Sequence, residues 1–123
     1  MALASSKSGS TIETRSQLEY FWERTGGRGA QFAAITDPGS ELERLAQERG
    51  FRATFPGEPE IGGRYSALSL FGIVPASLMG VDLAHFLEVA ATMTVACQSD
   101  DGNPGLELGF RLVRADENDH DLA

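Results

Sequence analysis

The stretch that most constrains this chain is Ala30 to Thr36, Ala-Gln-Phe-Ala-Ala-Ile-Thr. It is a short, nearly continuous apolar run with no alternation, the pattern of a strand buried on both faces. Such a strand needs helices to cover it, and the flanking sequence supplies two. Upstream, Ser10-Thr11-Ile12-Glu13 has the form of a capping box, Leu18, Phe21 and Trp22 recur at helical spacing, and Thr25-Gly26-Gly27 supplies a stop, so a helix is expected over Thr11–Thr25. Downstream, Asp37-Pro38-Gly39 turns the chain and Ser40-Glu41-Leu42-Glu43 opens a second helix, with Leu42, Leu45 and Ala46 inward and Gly50 at its end. Phe51, Ala53 and Phe55 then alternate with Arg52 and Thr54 as a short strand, whereas Met1–Ala4 is too short to make a good one by itself. Loop, helix, strand, helix, strand is the rhythm of a parallel α/β sheet.

Beyond Phe55 the rhythm breaks. Pro56–Gly63 holds two prolines and three glycines and reads as an ordered loop or a boundary. From Tyr65 the chain turns helical, with Leu68, Leu70, Phe71, Ile73 and Val74 expected to be largely buried and Pro75 expected to kink or restart the helix. Asp82 caps a further helix from Leu83 to about Gln98, with Leu83, Phe86, Leu87 and Ala90 on one face. Asp100–Gly105 is a turn-rich loop, and no internal repeat is present.

At 123 residues the chain is one domain at most. Its net charge of −8 argues against nucleic acid as a partner. The charge is uneven: seven acids follow Ser99 against Arg111 and Arg114, so an anion bound by the body is held by local focusing. No apolar run reaches the roughly 20 residues that span a bilayer, and the N-terminus has no signal-peptide pattern, so no membrane association and a cytoplasmic location are expected. The single cysteine, Cys97, excludes an internal disulfide and, beside Val95 and Ala96, reads as a buried inert thiol. The two histidines and the cysteine lie too far apart for a metal-ligand cluster, so no metal is expected.

Two stretches carry chemistry. Ser5-Ser6-Lys7-Ser8-Gly9-Ser10-Thr11-Ile12-Glu13-Thr14 feeds hydroxyl groups, the protein's only lysine and free backbone N–H groups toward a helix N-terminus, which suits a phosphate group. A plain helix cap among incidental serines also fits. The stretch lacks the glycine-rich approach of a P-loop. In Gly62-Gly63-Arg64-Tyr65-Ser66, paired glycines permit close approach of a ligand and Arg64 can face an anion; a flexible turn with a solvated arginine fits the residues equally well. His85 reads as solvent-facing or at the edge of the core, and nothing in the sequence links it to a particular serine.

Together, Ser-Ser-Lys-Ser-Gly-Ser-Thr-Ile-Glu-Thr and Gly-Gly-Arg-Tyr-Ser-Ala-Leu-Ser, continued through Phe71-Gly72-Ile73-Val74-Pro75-Ala76, closely resemble the glucose-6-phosphate isomerase family. The likeness runs from about Ala4 to Leu108 and is strongest to the bacterial branch, which includes the isomerase halves of bifunctional transaldolase–phosphoglucose isomerases. The first motif is shared by sugar isomerase (SIS) domains generally; the second is the more specific. The resemblance implies an α/β fold, a partial SIS-type three-layer αβα sandwich with a short parallel sheet flanked by helices, over residues 1–109. It implies a phosphate site for a hexose 6-phosphate at Ser6, Lys7, Ser8, Gly9, Ser10 and Thr11. Arg64 would lie by the sugar's C1–C2 region as a catalytic residue, stabilising the enediolate formed as a proton moves between C2 and C1. Such chemistry implies no cofactor. The family's catalytic glutamate, its ring-opening histidine and a C-terminal lysine have no counterpart here; Glu13, Glu88 and His85 do not occupy matching positions. The chain therefore resembles an internal piece of an isomerase, inactive alone, from a homodimeric family and prone to self-association. From Phe110 the family pattern is lost, and residues 110–123 read as a divergent acidic tail, disordered from Asp116 onward.

Overall fold

The computed structural model describes residues 1–120. The chain divides into two compact units, Met1–Val81 and Asp82–Ala123. The first holds a three-stranded parallel sheet in the order β1-β2-β3, with β1 at Ala2–Ser5, β2 at Phe32–Thr36 and β3 at Ala53–Pro56. Helix α1 (Ile12–Arg24) connects β1 to β2, and α2 (Glu41–Glu48) connects β2 to β3. The fold is thus the α/β class expected from the sequence, with a short parallel sheet flanked by helices.

All five residues of β2 are buried. Phe32 and Ala34 face Leu18 of α1 and Leu42 and Ala46 of α2, with Trp22, Leu45 and Phe51 around the edge. Right-handed crossovers that step twice in one direction place both helices on the same face of the sheet, as seen here. Ala33 and Ile35, which alternate to the other face, are also buried. The stub at Ala2–Ser5 becomes a strand because β2 offers it four register partners, from Ala2 opposite Phe32 to Ser5 opposite Ile35.

Both helices end in Schellman motifs. Gly26 (φ 64°) lets the Gly27 N–H reach the Trp22 carbonyl, and Gly50 (φ 62°) lets the Phe51 N–H reach the Ala46 carbonyl at 2.9 Å. The second motif takes Phe51 out of the strand, so β3 begins at Ala53 rather than Phe51. Phe51 instead stacks on Phe32 and Trp22, with ring centroids 5.2 and 6.1 Å away. Arg49 lies over Trp22 and pairs with Glu19 at 2.8 Å. This aromatic cluster ties down the N-terminal ends of β2 and β3, and the loops of interest leave from the opposite ends.

After β3 the chain passes through a 3-10 segment, Gly63–Leu68, into α3 (Leu70–Leu78), capped by the Ser69 hydroxyl. Leu70, Phe71, Ile73 and Val74 are half-buried, whereas Leu68, expected to be buried with them, is about half exposed. The helix also runs through Pro75, whose own carbonyl accepts the Met79 N–H at 3.0 Å; only the bond back to Phe71 is lost.

The second unit contains α4 (Leu83–Ala96) and α5 (Pro104–His120). Asp82 caps α4 through the His85 N–H, as its sequence indicates. Phe86 and Leu87, expected to face inward, are exposed, and so is Cys97, expected to be buried. Helix α5 starts where the Asn103 side chain accepts the Gly105 and Leu106 N–H groups. It continues through the segment read as a disordered tail as far as His120, because a helix once nucleated extends at low cost through residues that are neither glycine nor proline. The last three residues of that tail lie outside the described residues. No described helix is long and apolar enough to cross a membrane.

Candidate functional site

The loop Ser6–Thr11 leaves the C-terminal end of β1 and enters α1. In a parallel sheet the C-terminal strand ends are where ligands collect, because the β–α turns there expose helix N-termini. Helix α1 begins one residue later than its capping signature indicates: Thr11 is the N-cap, and no side chain caps the first turn. The Ser10–Glu13 box is not formed. The Ser10 hydroxyl lies 2.9 Å from that of Ser8, and counting from Thr11 the box position holds Thr14 instead of an acid. Since the first intrahelical bond is Arg15 N–H to the Thr11 carbonyl, the Ile12, Glu13 and Thr14 amides stand ahead of the helix ladder. The Gly9 amide donates to Ser6 Oγ and the Ser10 amide to Ser8 Oγ, so the serines also shape the loop they occupy.

Gly9 fixes where the loop goes. Its φ is 70°, and a Cβ there would collide with the backbone nitrogen and Cβ of Leu42, at the start of α2. The loop is also bonded to the end of β2. The Asp37 N–H and the Thr36 hydroxyl both donate to the Lys7 carbonyl at 3.1 Å. Thr36 Oγ1 in turn lies 2.7 Å from Ser40 Oγ, which accepts the Glu43 N–H and so caps α2. One consistent set of protons runs Glu43 N–H to Ser40, Ser40 to Thr36, and Thr36 to Lys7.

Lys7 points across the strand ends. Its ammonium lies 3.1 and 3.0 Å from the two Asp37 carboxylate oxygens, donates to the Glu58 carbonyl at 2.9 Å and sits 5.7 Å from the centre of the Phe71 ring. Gly57 permits this arrangement, because a Cβ there would strike Asp37 Oδ1 and the Phe71 ring. Lys7 also marks where the two sequence motifs meet: a Cβ built on Gly63 would lie 4.0 Å from Lys7 Cδ. The next residue, Arg64, is exposed, with its guanidinium 5.2 Å from the centre of the Tyr65 ring. Ser6, Lys7, Ser8, Gly9, Ser10 and Thr11 thus share one strand end, and the Gly62-Gly63-Arg64 turn begins beside Lys7.

The roles of Thr36, Asp37, Leu42 and Glu58 were missed in the sequence. Asp37 read only as part of a turn; its one distinguishing signal is that it follows directly on a fully buried strand in a chain with a single lysine. His85 is exposed, 3.9 Å from Glu88. Among the described residues no group of three His, Cys, Asp or Glu side chains is placed to hold a metal ion.

No family model matches the chain. Among curated proteins, glucose-6-phosphate isomerase of a Nostoc species is 41% identical over 76% of the chain. Those of a Synechococcus species and of Nostoc punctiforme are 41% and 37% identical over 78% and 89% of it. The chain is related to the glucose-6-phosphate isomerases. It spans 18% to 22% of the length of these relatives. A crystal structure of a hypothetical protein from Thermus thermophilus superposes with a TM-score of 0.74 at 32% identity, over 89% of this chain and 28% of that one. The relationship to glucose-6-phosphate isomerase thus extends over most of the chain, both motif-bearing loops being part of a single compact unit.

Proposed function

We propose that this chain carries the phosphate-binding part of a glucose-6-phosphate isomerase site, with a hexose 6-phosphate as ligand. The observation that carries the proposal is the meeting of its two motifs: the Ser6–Thr11 loop and the Gly62-Gly63-Arg64 turn come together at the C-terminal strand ends through Lys7 and Gly63. The phosphate is received by the uncapped first turn of α1 and by the hydroxyls of Ser8, Ser10 and Thr11, neutral donors reinforced by the helix dipole. Gly9 and Ser6 hold the loop in shape for it. Arg64, within that turn, faces the sugar and stabilises the negative charge that develops as a proton moves between C2 and C1. Removing one preorganised donor of this kind typically slows a reaction by about 100- to 1000-fold.

Proton abstraction needs a base within hydrogen-bond reach of the sugar carbon. Asp37 is paired with the Lys7 ammonium and is not offered as that base. We propose that the chain by itself binds the sugar phosphate without isomerase turnover. The test is a thermal melt with and without fructose 6-phosphate, paired with an isomerase assay. Binding at ten times Kd raises stability by about 1.4 kcal/mol, a shift of several degrees for a domain of this size. A melting temperature unmoved by millimolar fructose 6-phosphate contradicts the proposal, and measurable turnover contradicts the claim that the chain lacks a base.

A further inference from the structure

We infer that Lys7 is a positioning residue and not a ligand of the phosphate. The inference rests on the phosphate-loop reading above and changes what its only lysine does. An ammonium has three donors. Here two of them are directed at Asp37 Oδ1 and the Glu58 carbonyl, Asp37 Oδ2 lies 3.0 Å from the ammonium, and the Phe71 ring closes a further side. Lys7 is itself part of the β1 loop, Asp37 belongs to the β2 loop, Glu58 to the β3 loop and Phe71 to α3, so one side chain spans four segments. Its backbone is held as well, through the Thr36 and Asp37 bonds to its carbonyl.

An ammonium drawn onto an anion gives up contact with a carboxylate that is itself four-fifths buried, leaving that carboxylate less compensated beside the incoming phosphate. Such an exchange places like charges together. With Lys7 in place the pair is neutral, and the loop meets the phosphate with hydroxyls, amides and a helix dipole. The role of Lys7 is to fix the distance between the Ser8–Thr11 loop and the turn that carries Arg64.

Because Lys7 is the only lysine, a chain grown with lysine labelled at the side-chain nitrogen gives one resonance for it. Titration with fructose 6-phosphate is expected to move the backbone amides of Ser8 to Glu13 while the Lys7 Nζ resonance stays in place. Lys7→Met is expected to weaken binding on the order of tenfold, and Lys7→Arg, which can keep the Asp37 pair, to recover most of the loss. An Nζ resonance that moves in step with saturation overturns the inference, as does unchanged affinity in Lys7→Met. If fructose 6-phosphate moves no amide at all, the phosphate reading fails. Hydrogen exchange then decides about the tie alone: faster exchange at the Asp37 and Gly57 amides in Lys7→Met upholds it, and unchanged exchange overturns it.

Discussion

At the scale of single residues, the glycines separate sequence signals that look alike. Gly9 and Gly39 both adopt positive φ, but Gly39 has open space around its missing Cβ, whereas Gly9 lies against Leu42. Gly39→Ala is expected to lower stability by about 1 kcal/mol, the cost of a left-handed backbone alone. Gly9→Ala adds a steric clash that only movement of the loop or of α2 can relieve, and about 2–4 kcal/mol is expected. Urea denaturation of the two variants measures the difference, and equal losses would mean that the Gly9–Leu42 contact is not tight. The glycine in Ser-Gly-Ser was readable as a loop residue; what it packs against was not, because Leu42 is thirty-three residues away. Lys7 was singled out for the same local reason, and its true partners Asp37 and Glu58 are likewise distant in sequence.

At the scale of elements, the two Ser-x-x-Glu signatures make a direct comparison. Ser40 caps α2 with Glu43 N–H at 3.1 Å and supports the buried Thr36 hydroxyl; Ser10 caps nothing. Ser40→Ala is expected to cost about 1–2 kcal/mol, and Ser10→Ala less than about 0.5 kcal/mol, measured by the same denaturation series. A large loss in Ser10→Ala would contradict the cap assigned to Thr11. Helices α1 to α4, β2 and their order were legible because apolar spacing, caps and glycine stops are written locally; α5 was not. β1 was not, since a four-residue strand exists only through its partner, and β3 was displaced because the Schellman turn at Gly50 uses Phe51 first. The inward face assigned to α4 failed at Phe86 and Leu87 for another reason: periodicity shows which face is apolar, not whether anything covers it.

At the scale of the whole molecule, every fully buried residue among those described lies between Ala4 and Ala46. The candidate site grows from this small core, at the opposite strand ends from the Trp22–Phe32–Phe51 cluster, so the loop is carried by the firmest part of the chain. The resemblance in the two motifs reached further than the composition, because it is written in a few positions near strand ends, within relatives of which the chain spans only 18% to 22%. On the proposal made above, this firm end holds the phosphate of a hexose 6-phosphate. The most direct test is a residue-resolved amide titration with fructose 6-phosphate and, in parallel, with fructose. Saturable shifts are expected at Ser8 to Glu13 and at Arg64 with the phosphorylated sugar, and none with fructose. Shifts confined to other residues, or equal responses to both sugars, would contradict the proposal.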